Sequence, residues 1–304
     1  MKKIPASERG KSIMGPVVRI VFAVFLVGGA VAAAQVAAKL LRDVISPGGA
    51  VPAAYYLVYL IVSVLAASLT YRAYVRVVEK RSVTELSAAG APRELGIGAL
   101  VGLGMVAAIV GILWLLGYYR LTGVNAWTVA IVLLANDGAG AFVEEIILRG
   151  IVFRITEEKL GMWAALGISF VLFSLLHLAS PGATVMSTVV VGLEASILLS
   201  AAYVLTRRLW LAIGIHFAWD FSQDAIFGVA GGVKGFVRTE LAGPVTLTGG
   251  VSGIEGSVLA LLACLVIGAY LLLRARRKGD FVRPYWRQQH DLFTTTTETK
   301  VAKL

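Results

Sequence analysis

About eight apolar runs of membrane-spanning length follow one another along the chain, at roughly 15–38, 53–75, 96–118, 126–153, 161–180, 184–206, 209–229 and 255–274. A helix needs roughly 20 apolar residues to cross the hydrocarbon core of a bilayer. Proline and glycine mark several junctions: Pro47-Gly48-Gly49, Pro92 and Pro181-Gly182. No repeat or heptad stands out. The pattern predicts an all-α polytopic membrane protein of about eight transmembrane helices. Because the runs spread over the whole chain, one membrane domain fits better than two soluble ones.

Composition agrees. Of 304 residues, 58% are hydrophobic and 15% charged, and the mean hydropathy is +0.82. Soluble domains carry about 25% charged residues. The net charge is +10, which in a soluble protein would suggest nucleic acid. Here the basic residues sit between the apolar runs, where they orient spans and meet anionic headgroups. No nucleic-acid partner is expected.

Lys2, Lys3, Arg9 and Lys11 precede the first run, and Arg72, Arg76, Lys80, Arg81 and Arg93 flank the second connection. Arg154 and Lys159, then Arg207 and Arg208, mark the fourth and sixth connections. Arg274, Arg276, Arg277, Lys278, Arg283 and Arg287 follow the last run. The alternate connections are poorer in charge: Arg42, Arg120, none near Pro181, then Lys234 and Arg238. The positive-inside rule therefore predicts both termini in the cytoplasm. The first run is too long for a signal-peptide core, so it is expected to be a retained span.

The expected organisation is a cytoplasmic segment 1–14, N-terminal helices over 15–125, a catalytic core over 126–230, a loop and last helix over 231–275, and a cytoplasmic tail over 276–304. The stretch Thr294-Thr295-Thr296-Thr297-Glu298-Thr299 is low in complexity and expected to be disordered. Cys264 is the single cysteine. It excludes an intrachain disulfide and a cysteine-rich zinc site, and as a small apolar residue in a span it needs no further role.

The chemistry lies inside the spans. Glu144-Glu145-Ile146-Ile147-Leu148-Arg149 places three charges within six residues of an apolar run. Charges at membrane depth are costly, and by default they mark functional sites. On an ideal helix with Asp137 at 0°, Glu144 falls near about −20°, Glu145 near about +80° and Arg149 near about +120°. All four share one side. A neutralised Arg/Glu packing cluster would explain part of this, but two carboxylates exceed what one guanidinium neutralises.

His177 ends the fifth run, where it would either cap a helix or face a site. His216, Asp220 and Asp224 are spaced i, i+4 and i+8 on one face of the seventh run. That spacing fits a structural His–Asp hydrogen bond or a polar wall, to which Ser222 and Gln223 would add. Glu194 in the sixth run either lines the same space or pairs with a neighbour.

A carboxylate can act as general base on a water, a histidine can orient that water, and a polar pair can hold an oxyanion. Other membrane-protease chemistries are poorly served. No His-Glu-x-x-His occurs. Gly250-Val251-Ser252-Gly253 resembles the serine motif of rhomboid proteases, but only His290 follows it, beyond the last run. This stretch is expected to be a flexible loop. No Gly-x-Gly-Asp of the presenilin type is present.

Glu144-Glu145-x-x-x-Arg149, Phe173-x-x-x-His177 and His216-x-x-x-Asp220 together resemble the three motifs of the CAAX-protease and bacteriocin-processing family, which includes the type II prenyl-protein endopeptidases. The resemblance covers about 140–225. It implies eight helices and an active site open toward the cytoplasm. It further implies Glu144 as base, His177 positioning the water, Glu145 and Arg149 in support, and His216 with the residue four later as the oxyanion site.

That later residue is asparagine in the prenyl-protease branch and Asp220 here. An ionised aspartate would repel an oxyanion. Asp220 would therefore be protonated, hold His216 as a cation, or ligate a metal. The set Glu144, His177, His216 and Asp220 is chemically adequate for a divalent ion such as zinc, although no cofactor is the first expectation. Counted from the cytoplasmic ends, Glu144 and His216 lie ~10–18 Å deep and His177 ~24 Å, so the shared site requires tilt or a later helix start.

The leading reading is an intramembrane endopeptidase of the cell membrane, acting on a membrane-associated protein or peptide. A non-catalytic scaffold of the same fold is the alternative. A proton-coupled transporter would also hold membrane acids, but its repeated halves are not visible.

Overall fold

The computed structural model describes residues 14–45, 51–179, 183–232 and 235–286. The basic N-terminal segment, both Pro-Gly junctions at 47–49 and 181–182, Lys234, His290 and the threonine-rich stretch lie outside the described residues.

Helices α1 (Pro16–Ile45), α2 (Ala53–Val77) and α3 (Ala91–Leu115) lead into a strand β1 (Tyr119–Val124). The helix α4 (Trp127–Glu145) continues through a π-helical stretch, Ile146–Phe153, into α5 (Arg154–Leu160). Next come α6 (Met162–His177), α7 (Val185–Thr206) and α8 (Trp210–Phe221), the last extended by a π turn, Ser222–Ile226. Strand β2 (Val237–Leu241), a single helical turn α9 (Val245–Thr248), two 3-10 turns and α10 (Val258–Arg277) complete the described chain.

Five of these helices, α1, α2, α3, α7 and α10, are long and apolar enough to cross a membrane, and α6 is a shorter apolar helix. The chain is a mostly helical membrane protein. The first span runs seven residues past the expected 38, and α3 and α10 are shifted by several residues from their expected bounds.

One expectation is overturned: the fold is not all-α. Strands β1 and β2 pair antiparallel, from Tyr119↔Leu241 to Val124↔Val237, with a register shift between Leu121 and Gly123. The strands are short and join connections far apart in sequence, so neither carried a recognisable hairpin signal.

Helix α8 runs against α3, and the contact depends on glycine. A Cβ on Gly98 would lie 2.5 Å from the Leu211 carbonyl oxygen, and one on Gly214 would lie 2.5 Å from that of Leu95. Without a hydrophobic drive in lipid, such close backbone packing is what holds membrane helices together. Helix α7 packs on α6 and α10, and α2 packs on α1 and α4.

The basic end is tied by buried ions. Arg154 Nη2 donates to Glu79 Oε2 at 2.7 Å, Arg81 Nε donates to the same oxygen at 2.8 Å, and Arg19 of α1 also reaches Glu79. Arg81 also pairs with Glu85 at 2.7 Å. Burial alone would raise the Glu79 carboxyl, but the guanidiniums of Arg154, Arg81 and Arg19 outweigh it and hold it down at about 2. This network joins α1, the α2–α3 connection and α5.

Candidate active site

Glu144 and Glu145 are neighbours with opposite environments. Glu145 is fully buried, whereas the Glu144 side chain is 46% exposed and faces a cavity of about 350 Å³. Arg149 is also fully buried. Its Nη1 donates to Glu145 Oε1 at 2.8 Å and its Nη2 to the Ala195 carbonyl of α7 at 2.8 Å. The guanidinium lies 5.5 Å from the centre of the Phe173 ring. Arg149 therefore joins three elements, with a cation–π contact added to its charge pair.

The π stretch begins one residue after Glu145, and the Arg154 N–H bonds the Arg149 carbonyl five residues back. Each wider turn takes an extra residue, so the ideal 100° projection fails beyond Glu145. Such bulges frequently occur at functional sites.

Across from α4, His216 of α8 sits between carboxylates. Its Nδ1–H donates to Glu145 Oε1 at 2.9 Å. Its Nε2 lies 3.4 Å from Asp220 Oδ2 and 3.9 Å from Glu144 Oε2. The orientation of the ring is thus set by Glu145, leaving Nε2 to the two residues that line the cavity. On α6, His177 Nδ1–H donates to the Phe173 carbonyl at 3.0 Å, which leaves Nε2 as the acceptor nitrogen. Its ring stacks on Phe173 with centroids 4.3 Å apart, and Phe173 in turn lies 6.5 Å from the His216 ring.

The cavity is lined by Asp137, Glu144, His177, His216 and Asp220, together with Glu194, Asp224 and Glu255. Glu144, His177 and His216 thus share one space despite their different expected depths. Helix α6 is only 16 residues long, so His177 at its end lies nearer Glu144 than a full-length span would put it.

Three expectations need correction. Ser222 does not add to the wall, because its hydroxyl donates back to the Ala218 carbonyl. Nor does Gln223, whose Nε2 donates to Glu255 Oε1 at 3.0 Å. The stretch Gly250–Gly253 is not a flexible loop. It forms a 3-10 turn whose Gly253 pairs with Ala230, and Ser252 lines the cavity. Gly253 holds a φ of 67°, a conformation that suits glycine. Glu255 was missed entirely. Its one signal was an acid placed directly before the last apolar run.

The loop residues that line the cavity are Ala183, Ala230, Gly231, Ser252 and Glu255. All belong to the end that carries the strands. Among the described residues, none from the basic connections at the other end lines it.

Residues 125–222 match the family model of the Type II CAAX prenyl endopeptidase Rce1-like. Over this segment the chain is similar to the CAAX-protease family. The match spans α4 to α8 and contains Glu144, Glu145, Arg149, His177, His216 and Asp220. Asp224 and Glu255 lie outside the segment matched to the CAAX-protease model. No curated protein and no solved structure matches the chain.

Among the described residues, no group of three or more His, Cys, Asp or Glu side chains is arranged to hold an ion.

Proposed function

We propose that the chain is an intramembrane endopeptidase that hydrolyses a peptide bond of a membrane-associated protein or peptide with a water activated by Glu144. The observation that carries this reading is the pair formed by Glu144 and His216. A carboxylate open to the cavity stands 3.9 Å from an imidazole nitrogen. A water beside both lies within hydrogen-bond reach of each.

In the proposed step Glu144 takes a proton from that water, and the hydroxide adds to the scissile carbonyl carbon. The His216 Nε2–H, held by Asp220 in the resting site, donates to the developing oxyanion. The intermediate collapses, the C–N bond breaks and Glu144 returns its proton to the leaving amine. His177 offers Nε2 to orient the water. Glu145 and Arg149 act through His216 and the α4–α7 contact. Of the three roles open to Asp220, holding His216 as a cation fits its 3.4 Å approach best. The step needs no metal.

The orientation proposed with it follows the basic residues: both termini cytoplasmic, and the cavity open toward the opposite face. A scaffold role of the same fold would leave no requirement for Glu144. The deciding experiment compares membrane-protein fragments from cells making the wild-type chain or Glu144→Gln. Fragments that appear only with the wild type support the protease; identical fragment sets at equal expression would sink it.

A further inference from the structure

Six carboxylates line the cavity, and among the described residues no Lys or Arg does. Glu144 and Asp220 are used in the proposed reaction. Glu194, Asp224 and Glu255 are not, and Asp224 and Glu255 lie on the strand-bearing side of His216.

Glu194 is the decisive residue. It lies on α7, only 4% exposed, and its Oε1 has no hydrogen-bond partner although it borders the cavity. An unpaired acid at membrane depth costs several kcal/mol and is not retained for packing. Glu255 adds a second carboxylate, fixed through Oε1 by Gln223 Nε2 at 3.0 Å. The fixing residue is itself buried. Carboxylates crowded into so small a space repel one another, and a cation among them removes that penalty.

Two further observations define the cation. The donors do not converge as a metal ligand set, so a larger and less demanding cation suits them better. The walls between the acids are apolar, with Val191, Ala195, Leu198 and Trp219, matching the carbon stem of a long basic side chain.

We infer that Glu194, Asp224 and Glu255 form a subsite for a cationic side chain, arginine or lysine, of the peptide that enters the cavity. The inference rests on the endopeptidase reading for its identification of the ligand as substrate. Binding there places the charge on the strand-bearing side of the scissile bond and selects segments whose apolar run ends in a basic residue.

The test uses the purified full-length chain in nanodiscs of phosphatidylglycerol, whose headgroup carries no cation. The probes are two fluorescent libraries of mixed apolar peptides, alike except that one position is arginine or its uncharged isostere citrulline. Wild type and Glu144→Gln are expected to hold the arginine set about tenfold or more tighter, the scale of a charge-assisted hydrogen bond. Glu194→Gln and Glu255→Gln are each expected to lose most of that preference, and Glu194→Asp to keep part of it. If Glu194→Gln does not insert, Glu255→Gln decides alone.

Equal affinity of wild type for both sets, or a preference that survives both glutamine variants, overturns the subsite. Cleavage of both sets with equal affinity defeats the subsite and leaves the protease standing. Arginine preference with no cleavage by wild type does the reverse.

Discussion

Glu145 Oε1 accepts from His216 Nδ1 at 2.9 Å and from Arg149 Nη1 at 2.8 Å, so one buried oxygen links α8 to the π stretch that follows α4. The adjacent Glu144 approaches His216 Nε2 only at 3.9 Å and is open to the cavity. The two glutamates thus invite opposite mutational outcomes.

Glu145→Ala is expected to lower stability by about 3–5 kcal/mol, because it leaves Arg149 buried without its ion partner. Glu145→Gln keeps an acceptor for His216 and should cost less. Thermal midpoints in one detergent check this. A midpoint unchanged in Glu145→Ala would show that the pair contributes nothing.

Glu144→Gln is expected to insert and melt like the wild type while peptide cleavage falls by ~10²–10⁴, the usual loss for a general base. Purified variant cleaving at the wild-type rate would remove Glu144 from the proposed role.

Asp220→Asn separates two chemistries. If Asp220 acts by holding His216, asparagine should retain cleavage within about tenfold, since its amide oxygen still accepts from the His216 Nε2–H. If Asp220 ligates zinc, the variant should lose both ion and activity. Elemental analysis, with activity measured after chelation, distinguishes them. Stoichiometric zinc with chelator-sensitive activity would overturn the metal-free proposal.

Glu79 makes a pH-dependent contribution to stability. Its carboxyl is held at about 2 in the fold, below the ordinary 4.5. Between these values the unfolded chain binds more protons, so stability rises with pH through this window. The contribution is complete above about 4.5 and is lost as pH falls through about 2. Wild type should therefore exceed Glu79→Gln in thermal midpoint at pH 7, with the gap narrowing progressively below pH 4.5. A gap constant from pH 7 to pH 3 would contradict the assignment.

Orientation is open to labelling. In a Cys264→Ala background, Ser252→Cys should react with a membrane-impermeant thiol reagent added outside intact cells, and Lys80→Cys only after the membrane is opened. The reverse pattern would place the cavity toward the cytoplasm and the termini outside.

Much of this was legible in the sequence. Apolar runs located the helices because lipid demands long stretches free of charge. Glu144, His177 and His216 stood out because ionisable groups at that depth are expensive. The basic connections carried the expected orientation for the same electrostatic reason.

Tertiary structure decided the rest. Helical projection set Glu144 and Glu145 on one side and gave no means of choosing which meets solvent; that depends on α8, whose His216 lies 71 residues further along and takes up Glu145. The π stretch rewrites the helical register, and no side-chain pattern announces it. Glu255 and Ser252 enter the cavity through turns after a long connection, and β1 meets β2 across more than 110 residues. Local sequence fixes dihedral preference and burial tendency, which act over a few residues. A cavity is made by groups whose separation in the chain has no bearing on their separation in space.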